Sequence, residues 1–165
     1  MSPQKSSQLA ADVAREQVWV DGEVKKIGAK TIQKLIRSAV AVRKNAYPPY
    51  SHYQVGAAIL TLTGNVYASC NAEVVSWSES DHAEQSTVTK AISEGEVRRH
   101  GRVFIRAVAV VSASGSSPCG RCRQVIAEHA DNAVIIAATP DGKIRYIVSL
   151  HMLLPLAFTP KDLGI

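Results

Sequence analysis

Asp81-His82-Ala83-Glu84-Gln85 and Pro118-Cys119-Gly120-Arg121-Cys122 are the two stretches around which the chain is organised. The first holds an H-x-E pattern and the second a P-C-x-x-C pattern. His82, Cys119 and Cys122 are three ligands of types that zinc accepts. Three protein ligands leave a fourth tetrahedral position open, which marks a catalytic site, whereas structural sites usually have four. Glu84 lies two residues from the histidine and is placed to serve a water at that position. Neither half is specific alone: a lone C-x-x-C also fits a redox pair or half of a structural zinc site. A core histidine beside an incidental cysteine pair is the plain alternative. Together, in this order and with a proline ahead of the first cysteine, the two halves carry the metal assignment. The 37 residues from His82 to Cys119 leave room for one helix, one strand and a turn, which is what bringing two helix starts to one metal requires.

The rest of the chain limits what can be built around this pair. Its 165 residues suit one domain with a proper core. An apolar content of 46% and a charged content of 20% fit a globular protein. No apolar run reaches the length of a membrane span, and Met1-Ser2-Pro3-Gln4-Lys5 carries no signal-peptide apolar region. Three cysteines argue against a disulfide framework. Cys70, left over from the metal pair, reads as a buried small residue at a strand end. Thiolate ligands and a spare thiol suit a reducing, cytoplasmic setting. The net charge of +5 raises the question of nucleic acid. Residues 1–50 hold nine Lys/Arg against four Asp/Glu, whereas residues 51–165 hold ten of each. The excess therefore lies ahead of the motifs, on a solvated helix face.

Local signals then order the chain. Residues 1–9 are polar and read as mobile. Residues 10–17 read as a short helix, and Asp21-Gly22 between apolar residues reads as a hairpin turn. Ile32, Leu35, Ile36, Ala39 and Val40 form one apolar face of a helix over 30–45, ended by Pro48-Pro49. Residues 54–62 and 66–71 read as strands joined at Thr63-Gly64-Asn65. A helix is expected over 82–94, capped by Ser80 or Asp81 and ended at Gly95. Strands are expected over 103–112, 133–139 and 143–148. A helix from Pro118 to about Ala130, with Ser117 as its cap, separates the first two of these. A short helix follows over 150–154. The first two strands make an antiparallel pair, and the strand–helix–strand units give parallel neighbours. The result is an α/β protein with a mixed five-stranded sheet and helices on both faces.

Both motifs fall at expected helix starts, where free N–H groups and the helix dipole favour negative charge and lower thiol pKa values. Cysteines at i and i+3 share a face. The paired motifs resemble the signature of zinc-dependent nucleobase deaminases, which implies a metal-activated water attacking C4 of a cytosine ring. Glu84 would take a proton from that water, deliver one to ring N3 and then protonate the departing amine. A carboxyl that both accepts and donates near neutral pH needs a raised pKa, which burial supplies. The plain alternative for Glu84 is a first-turn complement to the helix dipole.

More of the chain resembles the cytidine deaminase family. Tyr50-Ser51-His52-Tyr53-Gln54-Val55-Gly56-Ala57-Ala58 is similar to its Y-S-x-x-x-V-G-A-A segment, and Cys70-Asn71-Ala72-Glu73 to its C-N-x-E. His82-Ala83-Glu84 and Pro118 to Gln124 match its zinc motifs, and Leu153 to Leu163 resembles its tail. The resemblance runs from about residue 30 to the end, leaving residues 1–29 as an N-terminal extension to one catalytic domain over 30–165. It implies a three-layer α/β/α fold, pyrimidine-nucleoside deamination in salvage, a Zn2+ cofactor and a homotetramer. It also implies that Asn71 and Glu73 hold the ribose 3′-hydroxyl. Tyr53 and Val55 would pack near the base, and Ala83 would offer it backbone groups. Phe158 would stack on a base bound in a neighbouring subunit. A carboxylate at Glu73 would repel a 3′-phosphate. Two positions depart from many short members, which carry cysteine and arginine where this chain has His82 and Gln85. One neutral histidine and two thiolates balance Zn2+, so no arginine is required. The loop Val74-Val75-Ser76-Trp77-Ser78 also departs from the family's usual one.

Three other readings compete. A deaminase of a modified cytosine nucleoside, such as blasticidin S, shares the second zinc motif, but Asn71 and Glu73 favour a plain nucleoside. A nucleic-acid editor would want a basic groove with aromatic stacking platforms. Nine aromatic residues in all and a charge-neutral segment after residue 50 speak against it. A non-catalytic zinc module is opposed by Glu84 and by the three-ligand set. The expected partner is a small nucleoside, with no nucleic acid and no membrane.

Overall fold

The computed structural model describes residues 3–164. It has six helices, α1 (Pro3–Ile27), α2 (Ala29–Arg43), α3 (Ala83–Ser93), α4 (Glu96–His100), α5 (Gly120–Glu128) and α6 (Leu150–Leu153). Five strands, β1 (Val55–Thr61), β2 (Val66–Cys70), β3 (Ile105–Ser112), β4 (Val134–Ala138) and β5 (Ile144–Ser149), form one sheet in the order β2-β1-β3-β4-β5. β3 and β4 are parallel and the other neighbours antiparallel, so the sheet is mixed as expected. Val55 and Thr61 sit inside the strand expected over 54–62.

Alternation along the strands splits the core in two. Ala58, Leu60, Ala109, Val134 and Ile136 pack with Ile32, Leu35, Ile36 and Ala39 of α2. Ile59, Val108, Val110 and Ile135 pack with Val88 and Ala91 of α3 and Ile126 of α5 on the other face. Period-2 strands buried on both faces explain why β4, and β3 from Ala107 to Val111, are apolar throughout. The helix–sheet–helix layering follows.

The contact between α2 and β1 is close enough to require a glycine. A Cβ on Gly56 would lie 2.1 Å from the Ala39 carbonyl oxygen and 2.9 Å from the Arg43 nitrogen. Both are backbone atoms and cannot turn aside. Gly56→Ala is expected to lower stability by about 1–3 kcal/mol, the usual scale of overpacking, read as a lower urea midpoint at unchanged slope.

Five expectations are corrected. The chain does not turn at Asp21-Gly22. One helix runs from Pro3 through Gly22 to Ile27, so residues 3–9 are helical as well; Met1 and Ser2 lie outside the described residues. Val13, Val20, Val24 and Ile27 recur at helical spacing, and Val20 and Ile27 are buried. Burial of the Val20, Val24 and Ile27 part of that stripe, with α1 packed on β4 and β5, outweighs the local turn preference of Asp-Gly. Neither motif helix is capped by the residue expected. His82 is the N-cap of α3 and Cys119 that of α5, without side-chain capping bonds. Asp81 stays extended because it pairs with Ala72. Cys70 ends β2 half-buried rather than buried.

Candidate active site and metal centre

β1, β3 and the loops that leave them frame a cavity of about 300 Å³ on the face that carries α3 and α5. Its lining includes His82, Ala83, Glu84 and Cys119 at one end and Ser51, Asn71 and Glu73 at the other. Tyr53 and Val55 line the wall between them.

The starts of α3 and α5 meet at the first end. His82 Nδ1 lies 3.3 Å from Cys119 Sγ and 3.4 Å from Cys122 Sγ. All three ligand atoms lie within 4.8 Å of one another. Tetrahedral zinc, with N and S ligands at about 2.0 and 2.3 Å, spaces such atoms about 3.5 Å apart. The donor set therefore fits that ion in both type and spacing. Electrostatics point the same way. Burial pushes the Cys122 thiol up, and Glu84 and Cys119 add to it by their own negative charge. The protein alone thus does not favour the thiolate, contrary to the effect expected of a helix start. A divalent cation reverses this, because a coordinated thiol is deprotonated outright.

Glu84 is 5% exposed. Burial pushes its carboxyl above the ordinary value, and Cys122 and His82 offset this only in part. A carboxyl held up beside a metal centre is suited to carrying protons in both directions near neutral pH.

At the other end, Glu73 accepts from the backbone N–H groups of Tyr50 (3.1 Å) and Ser51 (3.0 Å) and from the Ser51 hydroxyl. The Ser51 side chain, followed by the two backbone donors, holds this carboxyl below its usual range. It is an anion at the cavity mouth. The Asn71 carbonyl accepts from Val55 N at 2.8 Å, and its amide donates to the Tyr53 carbonyl at 3.0 Å. The Asn71 side chain thereby fixes the backbone of two cavity-lining residues.

Phe158 does not line this cavity within one chain. Its side chain is exposed, and its carbonyl is held by Gln124 Nε2 at 2.6 Å. Trp77, from the loop over 74–78 that departs from the family's usual one, lines the cavity, as do Ser112 and Ser116, which were not singled out from the sequence. The Tyr53 hydroxyl shares a 2.8 Å hydrogen bond with Ser114, which ties the β1 side of the wall to the loop that leads into Cys119. The run Ser114-Gly115-Ser116-Ser117 just ahead of the proline was the available signal.

The model of the cytidine and deoxycytidylate deaminase zinc-binding region matches residues 29–138. The chain belongs to that family. It is 39% identical over 135 residues to a cytidine deaminase of Sporosarcina psychrophila, covering 81% of this chain and 95% of the relative. It is 41% identical over 136 residues to one of Halalkalibacterium halodurans, covering 80% and 97%. Among solved structures, the cytidine deaminase of Burkholderia pseudomallei superposes with a TM-score of 0.68 at 36% identity, covering 76% of this chain and 97% of that one. That of Mycobacterium tuberculosis superposes at 0.61 with 39% identity, covering 76% and 94%. The five-stranded mixed sheet with helices on both faces is thus the fold of this zinc-binding deaminase family. The matched family region begins at residue 29, so α1 lies outside it.

Proposed function

We propose that this protein hydrolyses cytidine and 2′-deoxycytidine to uridine and 2′-deoxyuridine plus ammonia, a pyrimidine-salvage reaction. The observation that carries this reading is one cavity lined both by the metal-type ligands with the buried Glu84 carboxyl beside them and by the anionic Glu73 with Asn71. His82, Cys119 and Cys122 would hold Zn2+, which supplies an acidified, nucleophilic water at neutral pH. Glu84 would take one proton from that water and pass it to ring N3, then take the second from the same oxygen and give it to the amine, which leaves as ammonia while the oxygen stays as the C4 carbonyl of the uracil. Ala83, buried at the start of α3, offers its backbone to the ring. Tyr53 and Val55 flank the base. Glu73 and Asn71 receive the ribose 3′-hydroxyl, and a carboxylate there disfavours any 3′-phosphate. Residues 30–165 act as the catalytic domain and residues 1–29 as an extension. Among the described residues no helix is long and apolar enough to cross a membrane. The three free cysteines fit a reducing cytoplasm. We propose a homotetramer in which the exposed Phe158 reaches a neighbour's cavity, as the family resemblance implies.

The test is the ultraviolet absorbance of cytidine, deoxycytidine, CMP and a short single-stranded oligonucleotide incubated with zinc-loaded protein. Loss of the cytosine band from the nucleosides alone supports the reading. No nucleoside turnover by zinc-loaded protein sinks it. Glu73→Ala is expected to lower kcat/KM for cytidine by about 10²-fold, the loss of a charge-assisted hydrogen bond with its positioning, while bound zinc stays unchanged.

A further inference from the structure

The segment after α6 is exposed but anchored. Leu156, Phe158 and Leu163 show 94%, 59% and 65% of their surface. The backbone beneath them is held by two consecutive residues of α5. Arg123 Nη1 donates to the Leu153 carbonyl at 2.8 Å, and Gln124 Nε2 donates to the Phe158 carbonyl at 2.6 Å. Beyond Phe158, the Thr159 N–H and hydroxyl both donate to the Asp162 carboxylate, closing a turn over Pro160–Leu163.

The same guanidinium also faces the metal centre. Its Nε donates to the Pro118 carbonyl at 2.8 Å and its Nη2 to the Ser117 hydroxyl at 2.9 Å. Pro118 directly precedes one metal-type ligand, and Arg123 directly follows the other. One rigid fork therefore ties the segment that delivers Cys119 to the last residue of α6. Cys119 caps α5 without a side-chain capping bond, and its Sγ lies 3.3 Å from His82 Nδ1, so a cation shared by these two side chains would add a strong tie between this helix start and α3.

We propose that Arg123 and Gln124 are positioning residues that couple metal occupancy at Cys119 and Cys122 to the placement of the C-terminal tail. The coupling rests on the zinc reading above. With the cation bound, the first turn of α5 is fixed, and the two side chains hold Leu153 and Phe158 in place. When the cation leaves, the first turn loosens and the tail is released. The tail thus reports whether the centre is loaded.

Hydrogen exchange of the full chain tests this, comparing zinc-loaded with chelator-treated protein in peptides spanning residues 154–163. Chelation is expected to speed exchange of the tail by about tenfold or more while β3 keeps its protection, as a local opening requires. Gln124→Leu is expected to give the fast tail even with zinc bound at full stoichiometry. In that variant KM for cytidine rises about fivefold or more and kcat falls by less than about twofold, the signature of lost binding rather than lost chemistry. Arg123→Lys, which keeps the charge but not the fork, is expected to loosen both the tail and the 117–118 segment. A tail that exchanges equally fast with and without zinc overturns the coupling, as does a Gln124→Leu tail protected like the wild type. If zinc governs the tail but cytidine is not turned over, the coupling stands and the substrate assignment falls.

Discussion

Glu84→Gln is expected to bind zinc at wild-type stoichiometry and to lose cytidine turnover by about 10²–10⁴-fold, the contribution of a positioned proton carrier. The upper end is expected, because the same carboxyl handles the proton of the water, the proton on N3 and the proton on the leaving amine. Glutamine keeps the shape of the side chain and can still donate and accept hydrogen bonds, but it cannot exchange a proton. The carboxyl is buried beside Cys122 and His82, and burial already pushes it toward the protonated form. A neutral amide should therefore pack there without strain, and the melting temperature should be no lower than that of the wild type. Two measurements decide the matter: metal content by elemental analysis, and the ultraviolet assay under saturating cytidine. A variant that loses zinc would make Glu84 a ligand. A variant that keeps zinc and full activity would remove Glu84 from the chemistry.

The chemistry of this site was legible in the sequence because metal ligation admits few residue types. His82, Cys119 and Cys122 could be named from identity and spacing alone, and the structure brings them together. The sheet was legible for a different reason: β1, β3 and β4 are short apolar runs bounded by turns, and nothing else in the chain resembles them. What escaped were features set by distant partners. Asp21-Gly22 is a local turn signal, and only the β4–β5 face that α1 covers makes a helix of it. Ser80 and Asp81 are better capping residues than His82, yet the pairing of Asp81 with Ala72 holds the chain extended for one more residue. The cavity wall formed by Ser112, Ser116 and Trp77 comes from three separate loops or strand ends, so the Ser114–Ser117 run and the unusual Val74–Ser78 loop mark parts of it but not their convergence.

Glu96 is the clearest case of such a distant partnership, and its removal is expected to cost more stability than the Gly56→Ala change. It sits in a largely polar run, Ser93-Glu94-Gly95-Glu96-Val97-Arg98-Arg99-His100, a composition usual at the surface. Instead its side chain is fully buried at the start of α4. One carboxylate oxygen accepts from Asn65 Nδ2 and the Tyr67 hydroxyl, each at 2.8 Å, and from Arg99 at 3.3 Å. The other has no hydrogen-bond partner among the described residues, with His100 Nε2 3.7 Å away. The carboxylate therefore pins the β1–β2 turn and edge strand to α4. Glu96→Ala strands the donors of Asn65 and Tyr67 and leaves a cavity, so a loss of about 2–4 kcal/mol is expected. Burial alone would push this carboxyl up, but the donors from Asn65, Tyr67 and Arg99 outweigh it and hold it below the ordinary 4.5. A depressed carboxyl contributes stability that is fully present above the ordinary value and is lost as the pH falls through the lower, folded one. Urea unfolding at pH 7 and at stepwise lower pH should thus show the gap between wild type and Glu96→Gln narrowing only once the pH drops below about 4.5, the unperturbed value. A gap that stays constant into acid would mean that Glu96 acts through its shape and not its charge. No gap at pH 7 would mean that the edge strand is held by its backbone ladder alone.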